Sequence, residues 1–141
     1  AINQLEMWQE ATFDASTNAR ELGWAAGLGF NAARVYLHDL LWEQDAPGFL
    51  QRVDRFLEIA EAAGISVIPH GGGNTPYGQH ACHALPAIPW AECFISSPPG
   101  VPLAQTARLP GMAVPHDGKL VPSDAPGFGV DIDGSKLKPI S

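Results

Sequence analysis

A short apolar run, Ile65 to Pro69, ends in His70 and is followed at once by Gly71, Gly72 and Gly73. A strand that stops at a histidine delivers the imidazole to an open end of a sheet. Imidazole exchanges protons near neutral pH, so His70 is a candidate general acid or base. The competing reading is a strand-end histidine that packs or hydrogen-bonds and does no chemistry. The three glycines could cradle an anion if a helix followed directly. They lack the Lys-Ser/Thr of a nucleotide loop, so a nucleotide site is not expected. His80, Cys82 and His83 are zinc-ligand types, but their H-x-C-H spacing matches no structural zinc pattern. A fourth ligand would have to be His70 or Cys93, and ordinary side chains are the better reading. Of the four tryptophans, Trp42 and Trp90 are the better candidates to stack on a sugar, whereas Trp24 is expected to pack at a helix edge.

The elements that position these residues follow from pattern. "STNARELGWAAGLG" predicts a helix capped by Ser16 or Thr17 and closed at Gly29. "FNAARVYLH" predicts a strand with Ala33, Val35 and Leu37 on one side and Arg34, Tyr36 and His38 on the other. "DAPGFLQRVDRFLEIAEAAG" is the clearest helix. Asp45 caps it, Pro47 suits its first turn, Gly64 ends it, and Phe49, Val53, Phe56, Leu57 and Ala60 form its core stripe. Arg52, Asp54, Arg55 and Glu58 are expected to face mostly outward. "ISVIP" is then a short buried strand. Helix–strand–helix–strand with tight glycine junctions favours a parallel sheet. Beyond the glycines, "GQHACHALP" predicts one or two helical turns, "WAECFI" another strand, and His116-Asp117-Gly118-Lys119 a hairpin turn.

The bulk numbers set bounds. A chain of 141 residues suits one domain and by size should bury roughly 68–70% of its unfolded surface. Hydrophobic content of 45% with 16% charged residues marks a globular chain. A net charge of −7 argues against a phosphate-backbone partner, which would call for a basic face. No apolar run approaches a membrane span, and no signal peptide is visible, so a cytoplasmic location without membrane contact is expected. The first residue is Ala1, which suggests a trimmed N-terminus or a piece of something longer. Cys82 and Cys93 are expected to be buried thiols rather than a disulfide. Twelve of the 13 prolines fall from Pro69 onward, so the second half should be loops and short strands.

Two resemblances emerge. "INQLEMWQEATFD", "ELGWAAGLGFNAARVYLHDLLWEQDAPGFL" and "FLEIAEAAGI", about residues 2–65, resemble the front part of a (β/α)8-barrel glycoside hydrolase with two catalytic glutamates. "GISVIPHGGGNTPYGQHACHALPAIPWAECFI", "SPPGVPL" and "LPGMAVPHDGKLVPSDAPGFGV", about residues 64–132, resemble the C-terminal end of an enolase-superfamily enzyme. The likeness is to the mandelate racemase-like group, which includes sugar-acid dehydratases. The two meet near residues 63–66, so the chain reads as a single domain with an internal join. The implied fold is α/β: a partial (β/α)8 barrel of about four parallel strands, then a Pro/Gly-rich region of short strands and loops.

The second resemblance implies roles. His70 would be an acid or base at the C-terminal face of the barrel, where such sites lie. Glu92 would sit at the end of the next strand and could, if protonated, donate a hydrogen bond to an enolate oxygen. The family also implies Mg²⁺ held by three carboxylates on earlier strands, and those strands are not in this chain. A cofactor is therefore expected only if another chain completes the site. The aspartate that would partner His70 is replaced; its nearest equivalents are His38 and Asp39. The first resemblance aligns Arg34 with an arginine that supports a nucleophile, but a structural ion pair is the better expectation. Half a barrel leaves sheet edges and a bare face, which implies self-association or a completing subunit. The expected function is a truncated or chimeric barrel without full activity alone. The alternatives are an enolase-type dehydratase or epimerase of a sugar acid when assembled, and a glycan-binding or glycoside-hydrolase-like module.

Overall fold

The computed structural model describes residues 3–105 and 109–137. Helix α1 spans Ala15–Gly27, strand β1 Ala32–Val35, helix α2 Asp39–Ala62, strand β2 Ser66–Pro69 and helix α3 Pro76–Ala84. Short 3-10 turns occupy Glu6–Trp8, Gly72–Asn74, Leu103–Gln105 and Gly134–Lys136. β1 and β2 pair in parallel, with Arg34 opposite Ile68 and Val35 opposite Pro69. A parallel pair joined by a helix is the βα-unit the alternation predicts.

Local chemistry explains the boundaries. Asp14, rather than Ser16 or Thr17, caps α1. Its Oδ1 accepts from the backbone N–H groups of Ser16 and Thr17 at 2.9 and 3.1 Å. The Ser16 and Thr17 hydroxyls first, then those backbone donors, hold the Asp14 carboxyl far below the usual carboxylate range. Gly29 follows the helix at φ +89°, in the left-handed region. α2 starts earlier than expected, with His38 as its cap, and kinks at Asp45. There the expected cap does form: the Asp45 carboxylate accepts from Gly48 N–H at 3.0 Å. The leading turn, residues 39–44, is the part the sequence pattern missed.

The core is one cluster. Trp8, Leu22, Val35, Leu41, Phe49, Phe56, Ile59, Ala60, Ile65, Val67 and Ile88 are all buried. Trp8 is its centre, 1% exposed, set edge-on against Phe49 and Phe56. Its indole N–H donates to Tyr36 O at 2.9 Å. Arg52 was expected to face outward. Instead its Nε donates to Trp8 O at 2.5 Å and its Nη2 pairs with Asp45 at 3.2 Å, because the turn at Glu6–Trp8 leaves that carbonyl without a helical partner.

The four-strand expectation is corrected to two. Among the described residues no named strand follows β2, and "WAECFI" forms no ladder with it. Its contacts are with the turn after β2: Gly73 N–H donates to Glu92 O, and the Asn74 side chain bonds Phe94 O and N–H, while β2 itself meets the chain earlier, Val67 N–H donating to Ala87 O. Pro86 and Pro89 lack N–H donors at the approach, which interrupts a continuous ladder. The hairpin at His116–Lys119 is present as an isolated antiparallel bridge, with Asp117 and Gly118 both at positive φ. Among the described residues no helix is long and apolar enough to cross a membrane.

The expected burial is also corrected. The chain exposes 9649 Å². An unfolded chain of 15.0 kDa exposes about 21,800 Å², so only about 56% is buried. The physical reason is visible in the core, which among the described residues has no member beyond Ile88.

Candidate functional site

The parallel register sets the site. β1 and β2 end side by side, and His70 N–H donates to Val35 O at 2.7 Å. The next step of the register brings Tyr36 beside His70, and their rings stack at 4.7 Å and 23°. Phe94 meets the other side of the imidazole edge-on at 5.2 Å. The ring plane is thus fixed by two aromatic contacts. Strand alternation places Arg34 and His38 on the same side as Tyr36, as the sequence predicts.

Glu92 reaches this point from the extended segment after α3. Its Oε1 accepts from Arg34 Nε at 2.7 Å. Its Oε2 lies 2.9 Å from His70 Nδ1 and accepts from Gly71 N–H at 2.7 Å. Gly71 takes φ +64°, a left-handed turn that aims this N–H at the carboxylate. The Gly71 N–H first, then Arg34, hold the Glu92 carboxyl below its ordinary value. Glu92 is therefore an ionised acceptor here. The expected neutral, hydrogen-bond-donating carboxyl does not fit three donors converging on it. The anion expected in the glycine cradle is the protein's own carboxylate.

Arg34 Nη2 also contacts His70 Nδ1. Arg34 is always a donor, whereas Glu92 only accepts. One imidazole nitrogen cannot serve both at once, so the contacts are alternatives. With Nδ1–H directed at Glu92, Nε2 carries a lone pair and is a base. With Nδ1 accepting from Arg34, Nε2 carries the proton and is a hydrogen-bond donor. The expected structural ion pair of Arg34 is present, and its partner is Glu92.

A recess of about 260 Å³ opens beside this cluster, lined by Tyr36, His38, Asp39, His70 and Tyr77, with Leu37. His38 Nδ1 lies 2.5 Å from Asp39 Oδ1. Asp39 thus shares the recess with His70 while pairing with His38. Tyr36 and Tyr77 escaped the sequence reading; for Tyr36 the signal was present in its alternation with Arg34 and His38. Trp42 and Trp90 are not brought here. Trp42 stands exposed on α2, and Trp90 lines a separate groove. Trp24 is exposed, with the Arg20 guanidinium over its ring at 5.4 Å.

Mg²⁺ needs near-octahedral oxygen ligands. The carboxylates near the recess are committed elsewhere: Asp39 to His38, and Glu92 to Arg34, His70 and Gly71. A guanidinium in contact with Glu92 repels a second cation. These residues do not fit the metal, and among the described residues no three His, Cys, Asp or Glu side chains gather to hold one. Cys82 and Cys93 are free and half-buried, and burial pushes both thiols up.

The comparisons with known proteins bear on the second half most directly. The model of the family described as "Enolase C-terminal domain-like" matches residues 48–136. That range contains His70 and Glu92 and excludes Arg34, His38 and Asp39. It starts just after the kink at Asp45 and runs through the expected join near residues 63–66. A curated protein of Caldivirga maquilingensis named "Putative L-rhamnonate dehydratase" is 35% identical over 112 residues. The alignment covers 78% of this chain and 27% of that protein, so the chain spans about a quarter of its relative's length. No solved structure matches. Neither match is to a glycoside hydrolase, so the resemblance of residues 2–65 to that clan gains no support. The chain belongs to the enolase C-terminal domain-like family.

Proposed function

We propose that this chain forms the acid–base part of a sugar-acid dehydratase site, with the metal-binding carboxylates supplied by another polypeptide. The observation that carries this reading is His70 at the end of β2, its Nδ1 2.9 Å from an ionised Glu92. Dehydration of a 2,3-dihydroxy acid needs a base to take the proton beside the carboxylate. It then needs an acid to protonate the departing hydroxyl, which leaves as water, and the enol becomes a 2-keto-3-deoxy acid. His70 can do both because Glu92, at Nδ1, supports the imidazolium that forms when Nε2 takes the proton. The proton taken up at Nε2 gives an imidazolium whose Nδ1–H stays on Glu92, and that same Nε2 proton is the one passed to the departing hydroxyl. Tyr36 and Phe94 keep the ring in place while this occurs. The recess admits a small polar molecule, and Tyr77, His38 and Asp39 offer hydrogen bonds to hydroxyls.

The name of the Caldivirga relative makes L-rhamnonate the first substrate to try. The assay follows loss of L-rhamnonate and appearance of an α-keto acid in the presence of Mg²⁺. It is run on the chain alone and on the chain isolated with the polypeptides that copurify from its own cells. The expected result is turnover in the assembly only, reduced about 10²–10⁴-fold by His70→Ala. Absence of turnover in both overturns the dehydratase reading. Turnover by the chain alone overturns the assignment of the metal ligands to another polypeptide.

A further inference from the structure

Two cysteine sulfurs lie against one turn. Gly72 and Gly73 are consecutive and buried, and a sulfur packs on each. A β-carbon at Gly72 would lie 3.1 Å from Cys82 Sγ, and one at Gly73 would overlap Cys93 Sγ. The missing β-carbons let α3 and the 89–95 segment approach the turn this closely. Both thiols are free and half-buried, and both line a groove of about 730 Å³ beside the end of α3. They also sense each other. Burial raises the Cys82 thiol most, and the negative charge of an ionised Cys93 raises it further.

The two cysteines differ in how firmly they are held. Cys82 is on α3 and packs partly against the core. Cys93 follows Glu92 in a segment that forms no ladder. That segment is tied to the turn by Gly73 N–H to Glu92 O at 2.9 Å and by Phe94 N–H to Asn74 Oδ1 at 2.7 Å. A disulfide asks for α-carbons within roughly 7 Å and sulfurs about 2.05 Å apart. The looser segment can supply the last of that approach while the core stays in place. Two neighbouring side chains of this segment have different partners: Glu92 reaches His70, and Cys93 reaches the groove.

We propose that Cys82 and Cys93 form a reversible disulfide that locks the 89–95 segment, and with it Glu92, onto α3. The oxidant is a small-molecule disulfide, for which oxidised glutathione is the probe. One cysteine thiolate attacks a sulfur of that molecule, forming a mixed disulfide and expelling one glutathione thiolate. The second cysteine, as its thiolate, attacks the protein-bound sulfur, closes the Cys82–Cys93 bond and expels the second glutathione. The protein gives up two electrons and two protons, and the oxidant becomes two thiols. The lock acts on the position of Glu92 whatever substrate the site takes.

The test equilibrates the purified chain with mixtures of reduced and oxidised glutathione, then quenches it with acid and maps its peptides by mass spectrometry. Buried thiols exchange slowly, so each mixture is held until its composition is constant. The expected result is a Cys82–Cys93 bond within one chain, favoured about tenfold or more over the same chain unfolded in urea. The oxidised chain should also be cut within residues 89–95 about tenfold more slowly than the reduced chain, with a dithiol restoring the faster rate. Cys82→Ser should abolish the slowing. If that variant does not fold, the oxidised and reduced forms of the unaltered chain decide. Free thiols throughout, or only mixed disulfides or bonds between chains, overturn the proposal. So does a bond no more favoured in the native chain than in urea, or one that leaves cleavage at 89–95 unchanged. Slowing that persists in a folded Cys82→Ser chain overturns it as well.

Discussion

Residues up to Ile88 and residues after it are held by different forces. Among the described residues, the first part carries every member of the hydrophobic core, both strands and the three α-helices. The second is joined to it by ring contacts of Phe94 and Phe128 and by polar contacts. Buried Gln79 is the main polar one: its Nε2 donates to Gly73 O at 2.9 Å and Ala113 O at 2.8 Å, and its Oε1 accepts from Ala113 N–H at 3.2 Å. Asp131 N–H donates to Pro110 O within the second part itself. The lesson is that stability and chemistry are divided. The core sets His70 and Arg34, and a weakly held segment delivers Glu92 to them.

The sharpest way to break this comparison is at Trp8. Trp8→Ala removes the ring against Phe49 and Phe56 and the donor to Tyr36 O. The expected loss is about 3–5 kcal/mol, which is a large share of what a domain of this size has. Denaturant titration should show global unfolding at a much lower midpoint. Phe128→Ala, in the second part, removes an exposed ring that touches Tyr77 and His80. Its effect should stay within about 0.5 kcal/mol. Equal losses would show that the second part shares the core.

Gln79→Ala gives a smaller, more selective effect. It leaves the N–H and C=O of Ala113 without their partner, at a cost of about 1–3 kcal/mol. The expected outcome is release of the segment around Ala113, seen as faster proteolysis there, with the core transition little changed. A uniform shift of one cooperative transition would mean that the two parts unfold together.

How much of this was legible in the sequence follows the same division. The alternation of Arg34, Tyr36 and His38, the Asp45 cap and the turn at Gly64 are local patterns, and each is in place. Arg52 reads as an outward charge because periodicity does not reveal that Trp8 O, forty-four residues earlier, lacks a partner. The segment 90–95 reads as a strand because its side chains alternate, but pairing is a property of the neighbour. The Glu92 state was the least legible of all. It depends on donors from Arg34, His70 and Gly71, each at least twenty-one residues away in the chain.

Glu92 is also the most direct reporter of whether the second part is docked. Its carboxyl lies below the ordinary glutamate value of 4.5 because Gly71 N–H and Arg34 bond the ionised form. A depressed pKa in the folded state stabilises it at pH above the unfolded value, and that contribution disappears as pH falls through the folded pKa. The cluster should therefore remain intact at pH 5 and come apart only in more acid solution. Carboxyl-carbon NMR should place the Glu92 midpoint below 4.5 in the unaltered chain. In Gln79→Ala the midpoint should move up toward 4.5 if the link at Ala113 keeps the 89–95 segment seated. A midpoint that stays low in that variant would show that Arg34, His70 and Gly71 hold Glu92 by themselves, and that the site belongs wholly to the core-bearing part.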